Sequence, residues 1–190
     1  MAAKILAFAG SSREGSLTKK LLSVAIAAAR AIGGEVTEID LRAFDLPLYD
    51  GDLEREHGLP SGALRLRETF KQYPSLLIGV TEYNGGVSPL LKNAIDWVSR
   101  PCAGEPNLSA IRGKIVAMVS CSSGVLGGSR AQAHLRQSFQ VMGCVLVPET
   151  VNLPYAETAF EGDEPKDPAV RDFLAIVAAR LVDLADRIAR

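Results

Sequence analysis

The sequence lacks an excess of positive or negative charge, since it has 21 lysine and arginine residues and 22 aspartate and glutamate residues. Binding to nucleic acids or to an anionic membrane surface requires concentrated basic charge, which a formal net charge of −1 does not provide. We therefore expect no nucleic-acid partner and no membrane partner. A small molecule is the expected ligand.

Cysteine, histidine and long apolar runs are also scarce. The three cysteines, Cys102, Cys121 and Cys144, have no CxxC spacing, and only two histidines accompany them, so neither a disulfide framework nor a metal site is predicted. This cysteine usage fits a reducing cytoplasm. No uninterrupted run of about 18 apolar residues is present, so the sequence predicts no membrane-spanning helix.

The composition is that of a globular protein with a substantial core. Hydrophobic residues make up 47% of the chain, and the mean hydropathy is +0.13. Because one core typically serves about 100–200 residues, the 190 residues are expected to form a single domain, 1–190.

Short apolar segments of strand length alternate with segments of helical period, which is typical of a parallel sheet covered on both faces. The predicted strands are residues 5–9, 35–39, 76–80, 115–119 and 144–147. Right-handed crossovers between them predict a doubly wound, five-stranded α/β sheet of order 2-1-3-4-5 with helices on both faces. Helices are predicted at residues 17–32, 65–72, 89–98 and 168–188, and long irregular segments at 41–61 and 152–166.

The turn between the first strand and the first helix is rich in serine and threonine. Ligands of doubly wound sheets bind at the carboxyl ends of the strands, where a helix N-terminus attracts anions. The turn has neither GxGxxG nor GxxxxGK[ST], so a terminal monophosphate such as that of FMN suits it better. The residues predicted to hold the phosphate are Ser11, Arg13, Ser16, Leu17 and Thr18. The alternative is an ordinary polar turn in which Ser16 caps the helix.

Two further loops of small or polar residues follow the third and fourth predicted strands. The first combines an aromatic side chain with exposed backbone N–H groups, which suits a planar heterocycle with acceptor atoms along its edge. Its predicted contact residues are Glu82, Tyr83, Asn84 and Gly85, and those of the second loop are Ser120, Ser122 and Gly124. Because carboxyl ends of parallel strands share one sheet edge, the three loops are expected to converge on one crevice.

The three loops in this order resemble the NADPH-dependent FMN reductase family, which includes quinone and chromate reductases. The matching positions are Ser11, Arg13 and Ser16 in the first loop, residues 82–85 and 91–97 in the second, and Ser122, Gly124 and residues 127–136 in the third. The resemblance covers residues 4 to about 150. Thr18 stands where the family has asparagine, and Thr81 and Ser123 stand where it has proline.

The resemblance implies a flavodoxin-like fold and an oxidoreductase with noncovalent FMN. NADPH or NADH would supply hydride, and a small acceptor (quinone, free flavin, chromate or azo compound) would receive the electrons. The flavin would carry the chemistry, so no protein side chain is assigned a catalytic role and no metal is expected. A flavodoxin-type electron carrier and a non-catalytic flavin-binding protein are the alternatives.

The resemblance and an apolar segment together predict a homodimer or homotetramer. Residues 44–60 contain an apolar, proline-stiffened run that resembles the segment FMN reductases place near a partner's flavin. Trp97 and Val98 are the predicted opposite side of that contact. The alternative is a segment folded onto its own subunit.

Overall fold

A parallel sheet with helices on both faces forms the centre of the computed structural model, which describes residues 3–188. The strands are β1 (Lys4–Ala9), β2 (Glu35–Ile39), β3 (Ser75–Val80), β4 (Glu82–Tyr83), β5 (Gly86–Val87), β6 (Ile115–Cys121), β7 (Val145–Leu146), β8 (Val151–Leu153), β9 (Phe160–Glu161) and β10 (Glu164–Pro165). The helices are α1 (Leu17–Ala31), α2 (Gly51–His57), α3 (Ser61–Lys71), α4 (Pro89–Val98), α5 (Ser129–Val141) and α6 (Pro168–Ile188), with a 3₁₀ helix at Leu41–Phe44.

The strand order of the main sheet, β2-β1-β3-β6-β7, confirms the predicted order 2-1-3-4-5 and the flavodoxin-like α/β class. At the fifth position of the main sheet the structure differs from the prediction, which was a single strand at residues 144–147. Two short strands, β7 and β8, pair with the beginning and the end of β6, with Ile115 opposite Val145 and Cys121 opposite Leu153. Pro148 lies between them and has no backbone N–H to donate, which favours an interruption of the ladder there.

Alternation along the strands creates two apolar layers. In β1, Ile5 and Ala7 face the layer that contains α1 and α6, whereas Leu6 and Phe8 face the layer that contains α3, α4 and α5. Strands β3 and β6 are buried along their whole length, which explains their continuous apolar sequences. The sheet is therefore rigid where its strands end, and that edge carries the loops of interest.

Serine side chains cap the start of two helices, α1 and α4. The Ser16 hydroxyl accepts a hydrogen bond from the Lys19 backbone N–H (3.3 Å) at the start of α1, and Ser88 caps α4 ahead of Pro89. Helix α3 begins at Ser61, four residues before the predicted start.

No helix within residues 3–188 is both long enough and apolar enough to cross a bilayer.

The segment 41–60 is not irregular throughout, since it contains the 3₁₀ helix and α2. It folds onto its own chain: Trp97 Nε1 donates to the Pro47 carbonyl (2.8 Å), and the Tyr49 and Trp97 rings make an edge contact with centroids 5.0 Å apart. Trp97 and Val98 are fully buried inside the subunit. The prediction that these two residues face a partner subunit is therefore wrong, because α4 uses them to pack against its own chain.

Candidate functional site

A cavity of about 220 Å³ opens at the carboxyl ends of β1, β3 and β6. Its walls are formed by the loops that follow these strands and by the segment after β8. The residues that line it are Ser11, Arg13, Ser16, Leu17, Thr18, Thr81, Glu82, Tyr83, Cys121, Ser122, Ser123, Ala156 and Glu157. The three predicted loops thus meet in one crevice.

The first loop leads into the N-terminus of α1. Ser16 and Thr18 are buried, while Arg13 is exposed at the mouth and its backbone N–H donates to Ser11 Oγ (3.4 Å). The N–H groups of the first helical turn have no intrahelical acceptor, and α1 has no acidic residue in that turn. The helix dipole, free N–H groups and the arginine together provide the chemistry that a phosphate monoester requires.

The second loop is a tight hairpin formed by β4 and β5. Asn84 (φ +51°) and Gly85 (φ +80°) both adopt left-handed conformations at its tip, which is the geometry of a two-residue turn between antiparallel strands. The turn places Asn84 and Gly85 outside the cavity wall. Tyr83 lines the cavity with half of its surface exposed.

Glu82 connects this hairpin to a helix. One of its carboxylate oxygens accepts a hydrogen bond from the Ala131 backbone N–H (3.0 Å) in the first turn of α5. A carboxylate is stabilised at that position, because it satisfies a free N–H group and complements the helix dipole. Glu82 therefore fixes the orientation of the hairpin, and no proton transfer is required of it.

Ser88 joins the first loop to the second. Its hydroxyl donates to the Gly10 carbonyl (2.6 Å) and accepts from the Leu91 N–H (3.4 Å). A Cβ at Gly10 would lie 2.8 Å from both Leu91 Cβ and Ser88 Oγ, so only glycine allows this approach. The two loops are thereby held at a fixed distance.

The third loop is supported by a buried polar network. Ser120 Oγ donates to the Gly127 carbonyl (2.7 Å) and accepts from Asn152 Nδ2 (2.6 Å), and Asn152 Nδ2 also donates to Gln132 Oε1 (3.0 Å). Neither Ser120 nor Gly124 lines the cavity. Ser120 is directed into the interior because β6 continues to Cys121, and alternation along the strand then places Ser120 on the same side as Met118.

Cys121 lies in the cavity wall with its thiol next to Thr18. The thiol donates to Thr18 Oγ1 at an S–O distance of 3.8 Å. Burial raises the pKa of the Cys121 thiol to about 11, against the smaller opposing effect of that hydrogen bond. The thiol is therefore protonated at neutral pH and unsuited to nucleophilic chemistry.

The structure brings most of the predicted site residues together. Ser11, Arg13, Ser16, Leu17, Thr18, Glu82, Tyr83 and Ser122 line the cavity, whereas Asn84, Gly85, Ser120 and Gly124 do not. Sequence reasoning missed Thr81, Cys121, Ser123, Ala156 and Glu157 as lining residues. The first three are sequence neighbours of predicted residues, but the last two reach the cavity because the Ala156 N–H donates to the Ser122 carbonyl (3.0 Å).

The residues present fit FMN. The cavity has a cationic, N–H-rich end for a phosphate and an aromatic side chain at its other wall for a planar ring. Its wall also includes Thr81, whose buried Oγ1 has no hydrogen-bond partner within residues 3–188. A polar ligand would satisfy such a group.

Comparison with known proteins agrees with this geometry. The sequence profile of the family described as NADPH-dependent FMN reductase matches residues 3–158. A quinone reductase of Escherichia coli is 43% identical over 97 residues, which are 49% of this chain and 47% of that protein, so the match spans about half of that relative's length. A quinone reductase of Pseudomonas putida is 36% identical over 168 residues, 87% of this chain and 85% of that protein.

A solved structure extends the similarity over nearly the whole chain. The flavoenzyme FerB of Paracoccus denitrificans, an NAD(P)H:(acceptor) oxidoreductase, superposes with a TM-score of 0.80 and 29% sequence identity. The superposition covers 97% of this chain and 98% of that one. From the profile match, the relatives and the cavity at the strand ends, we conclude that this chain belongs to the NADPH-dependent FMN reductase family.

Proposed function

We propose that this protein is an FMN-containing oxidoreductase that takes reducing equivalents from NADPH or NADH and passes them to a small acceptor. The observation that carries the proposal is the convergence of three loops, at the ends of β1, β3 and β6, on one cavity with an anion-binding end. Quinones, free flavins, chromate and azo compounds are the acceptors to be tested. The similarity to the quinone reductases of Escherichia coli and Pseudomonas putida makes a quinone the first choice.

In this proposal different walls of the cavity bind different parts of FMN. The phosphate would be held by the backbone N–H groups and hydroxyls of Ser11, Ser16 and Thr18 together with the Arg13 guanidinium, and the ring would lie beside Tyr83. When bound, FMN supplies the redox chemistry by accepting hydride from the nicotinamide and giving the electrons to the acceptor. The hairpin and the third loop supply further walls of the cavity in which the ring would lie.

In this proposal the nicotinamide and the acceptor use the same cavity in succession. NAD(P)⁺ must leave before the acceptor enters, so we expect ping-pong kinetics. The Glu82 carboxylate already accepts a hydrogen bond from the Ala131 N–H, and the Cys121 thiol is protonated at neutral pH. Neither side chain is needed for a proton-transfer step.

The purified protein provides the direct test of the proposal. It should show the visible absorbance of bound oxidised flavin, and anaerobic NADPH or NADH should bleach it within the enzyme's turnover time. Recovery of the colour on adding a quinone would establish turnover. A flavin that NAD(P)H does not bleach would favour the electron-carrier function, and absence of any flavin binding would contradict the proposal.

Replacing Arg13 with alanine should weaken FMN binding by about 10-fold or more, since a charged hydrogen bond is worth roughly 1.5–3 kcal/mol. The affinity for riboflavin, which has no phosphate, should not change. Arg112→Ala is the matched control, because Arg112 is exposed and precedes β6 at the opposite edge of the sheet. Fluorescence titration measures all three proteins, and equal FMN affinity in the two variants would show that the phosphate is bound elsewhere.

We further propose that the working unit is a homodimer or homotetramer in the cytoplasm. Although residues 44–60 fold onto their own chain, Leu48 remains 79% exposed, and Val141 at the end of α5 is 86% exposed. A second subunit would bury such apolar side chains. In a symmetric dimer the same surface of each subunit would form the contact. The three cysteines are free thiols, as a reducing compartment requires.

The assembly can be tested at one of these positions. Leu48→Lys should shift the protein towards smaller species in light scattering, while Glu56→Lys, an exposed change in the same segment, should not. A wild-type protein that is monomeric and fully active at nanomolar concentration would contradict a dimeric or tetrameric working unit.

A further inference from the structure

One residue of the cavity wall, Thr81, has a buried hydroxyl that makes no hydrogen bond to residues 3–188. Thr81 follows β3 directly, lines the cavity and is only 8% exposed. Its Oγ1 has no hydrogen-bond partner within residues 3–188. A buried hydroxyl without a partner is unusual, because losing hydration without a replacement bond costs free energy.

The other buried hydroxyls of the same wall are satisfied. Ser11 Oγ accepts from the Arg13 N–H (3.4 Å), Ser16 Oγ accepts from the Lys19 N–H (3.3 Å), and Thr18 Oγ1 accepts from the Cys121 thiol (3.8 Å). Among the described residues that line the cavity, Thr81 therefore differs in having a buried hydroxyl without a hydrogen-bond partner. Its hydroxyl is the group for which a partner has to come from outside the chain.

No hydrogen bond within residues 3–188 accounts for the hydroxyl at this position. Nothing in the chain holds the Thr81 hydroxyl in its present rotamer, so rotation about χ1 breaks no hydrogen bond. Rotating χ1 by about 120° moves the hydroxyl into the position of the methyl group in a residue that lines the cavity.

We propose that the Thr81 hydroxyl forms a hydrogen bond with FMN bound in this cavity, which makes Thr81 a cofactor-binding residue that this chain has in place of the family's proline. The proposal rests on the proposed function, because it requires FMN in the cavity. A neutral hydrogen bond of this kind changes affinity by about 2- to 10-fold.

Titration of FMN into apoprotein tests the proposal with two matched variants. Thr81→Val keeps the shape and removes the hydroxyl, and it should weaken FMN binding by about 2- to 10-fold. Thr81→Ser keeps the hydroxyl and should retain an affinity close to that of the wild type. Equal affinity of Thr81→Val and the wild type would overturn the proposal.

The thermal unfolding midpoint of the apoprotein separates a ligand contact from a structural role. Valine removes an unsatisfied buried group, so apo Thr81→Val should unfold at the wild-type temperature or above it. Weaker FMN binding together with unchanged or higher apo stability supports the proposal. Weaker binding together with lower apo stability would overturn it, since the loss would then come from a distorted wall.

The two proposals fail differently. If wild-type apoprotein binds no FMN, the proposed function is wrong and the role of Thr81 is wrong with it. If the wild type binds FMN and Thr81→Val binds it equally well, only the role of Thr81 is wrong.

Discussion

Replacing Arg67 with methionine is expected to lower the free energy of unfolding by about 3–5 kcal/mol. Arg67 lies in α3 with 1% of its surface exposed. Its guanidinium donates to the carbonyl oxygens of Val98 (2.8 Å) and Arg100, to the Glu105 carboxylate (2.9 Å) and to the Ser109 hydroxyl (3.2 Å). Methionine keeps an unbranched apolar side chain but has no donor, so the buried Val98 carbonyl and the partly buried Arg100 carbonyl would lose this partner.

Lys71→Met is the matched control, because Lys71 Nζ also binds Glu105 (2.7 Å) but is one-third exposed. An exposed ion pair contributes roughly 0–1 kcal/mol, so this variant should resemble the wild type. Hydrogen bonds from Lys71 and Ser109 lower the pKa of Glu105 to about 2, and the carboxylate is charged throughout the neutral range in which both variants are measured.

Denaturant unfolding followed by circular dichroism measures both variants. A loss of about 3–5 kcal/mol corresponds to a fall in melting temperature of roughly 6–20 °C for a chain of this size. If Lys71→Met and Arg67→Met cost the same, the ion pair with Glu105 would be the source of the effect. The buried bonds to Val98 and Arg100 would then contribute little.

The burial of Arg67 and its contact with Glu105 could not be predicted from the sequence. The helix containing it was predicted at residues 65–72 from a weak apolar pattern, but an arginine gives no signal of burial, since arginine is rarely buried without partners. Its partner Glu105 lies 38 residues further along the chain. Only the fold brings the two together.

Strands β1, β3 and β6 of the central sheet were predictable because they are nearly continuous apolar runs bounded by glycine, serine or proline. Helix α2 was not, because its seven residues have no buried side chain and therefore no apolar periodicity. The residues of the candidate site likewise fall into those that the sequence predicts and those that it does not. Loop residues next to a strand end were predicted, whereas Ala156 and Glu157 depend on a hydrogen bond to Ser122, which is distant in sequence. Ser120 could have been assigned to the interior if the strand had been extended two residues to Cys121.

Replacing Gly62 with alanine should destabilise the protein by about 3 kcal/mol, at the upper end of the range for overpacking. Gly62 lies in the first turn of α3, where an added Cβ would be 1.7 Å from the Phe44 carbonyl oxygen and 2.9 Å from its carbon. These are backbone atoms, and Asp45 beside them already has a left-handed conformation (φ +47°). No side-chain rotation can relieve the clash, so the 3₁₀ helix must separate from α3.

Gly51→Ala is the matched control in the same region of the chain. A Cβ at Gly51 would meet only Tyr49 Oη at 3.7 Å, which is an ordinary contact, and alanine should stabilise the protein by about 0.4–1 kcal/mol. Both substitutions restrict the unfolded chain to the same extent, so the difference between them measures the clash in the folded state. Limited proteolysis should cut residues 41–60 faster in Gly62→Ala, because its anchor on α3 is lost. If Gly62→Ala were as stable as Gly51→Ala, close contact between α3 and the 3₁₀ helix would not be what holds this segment on its own subunit.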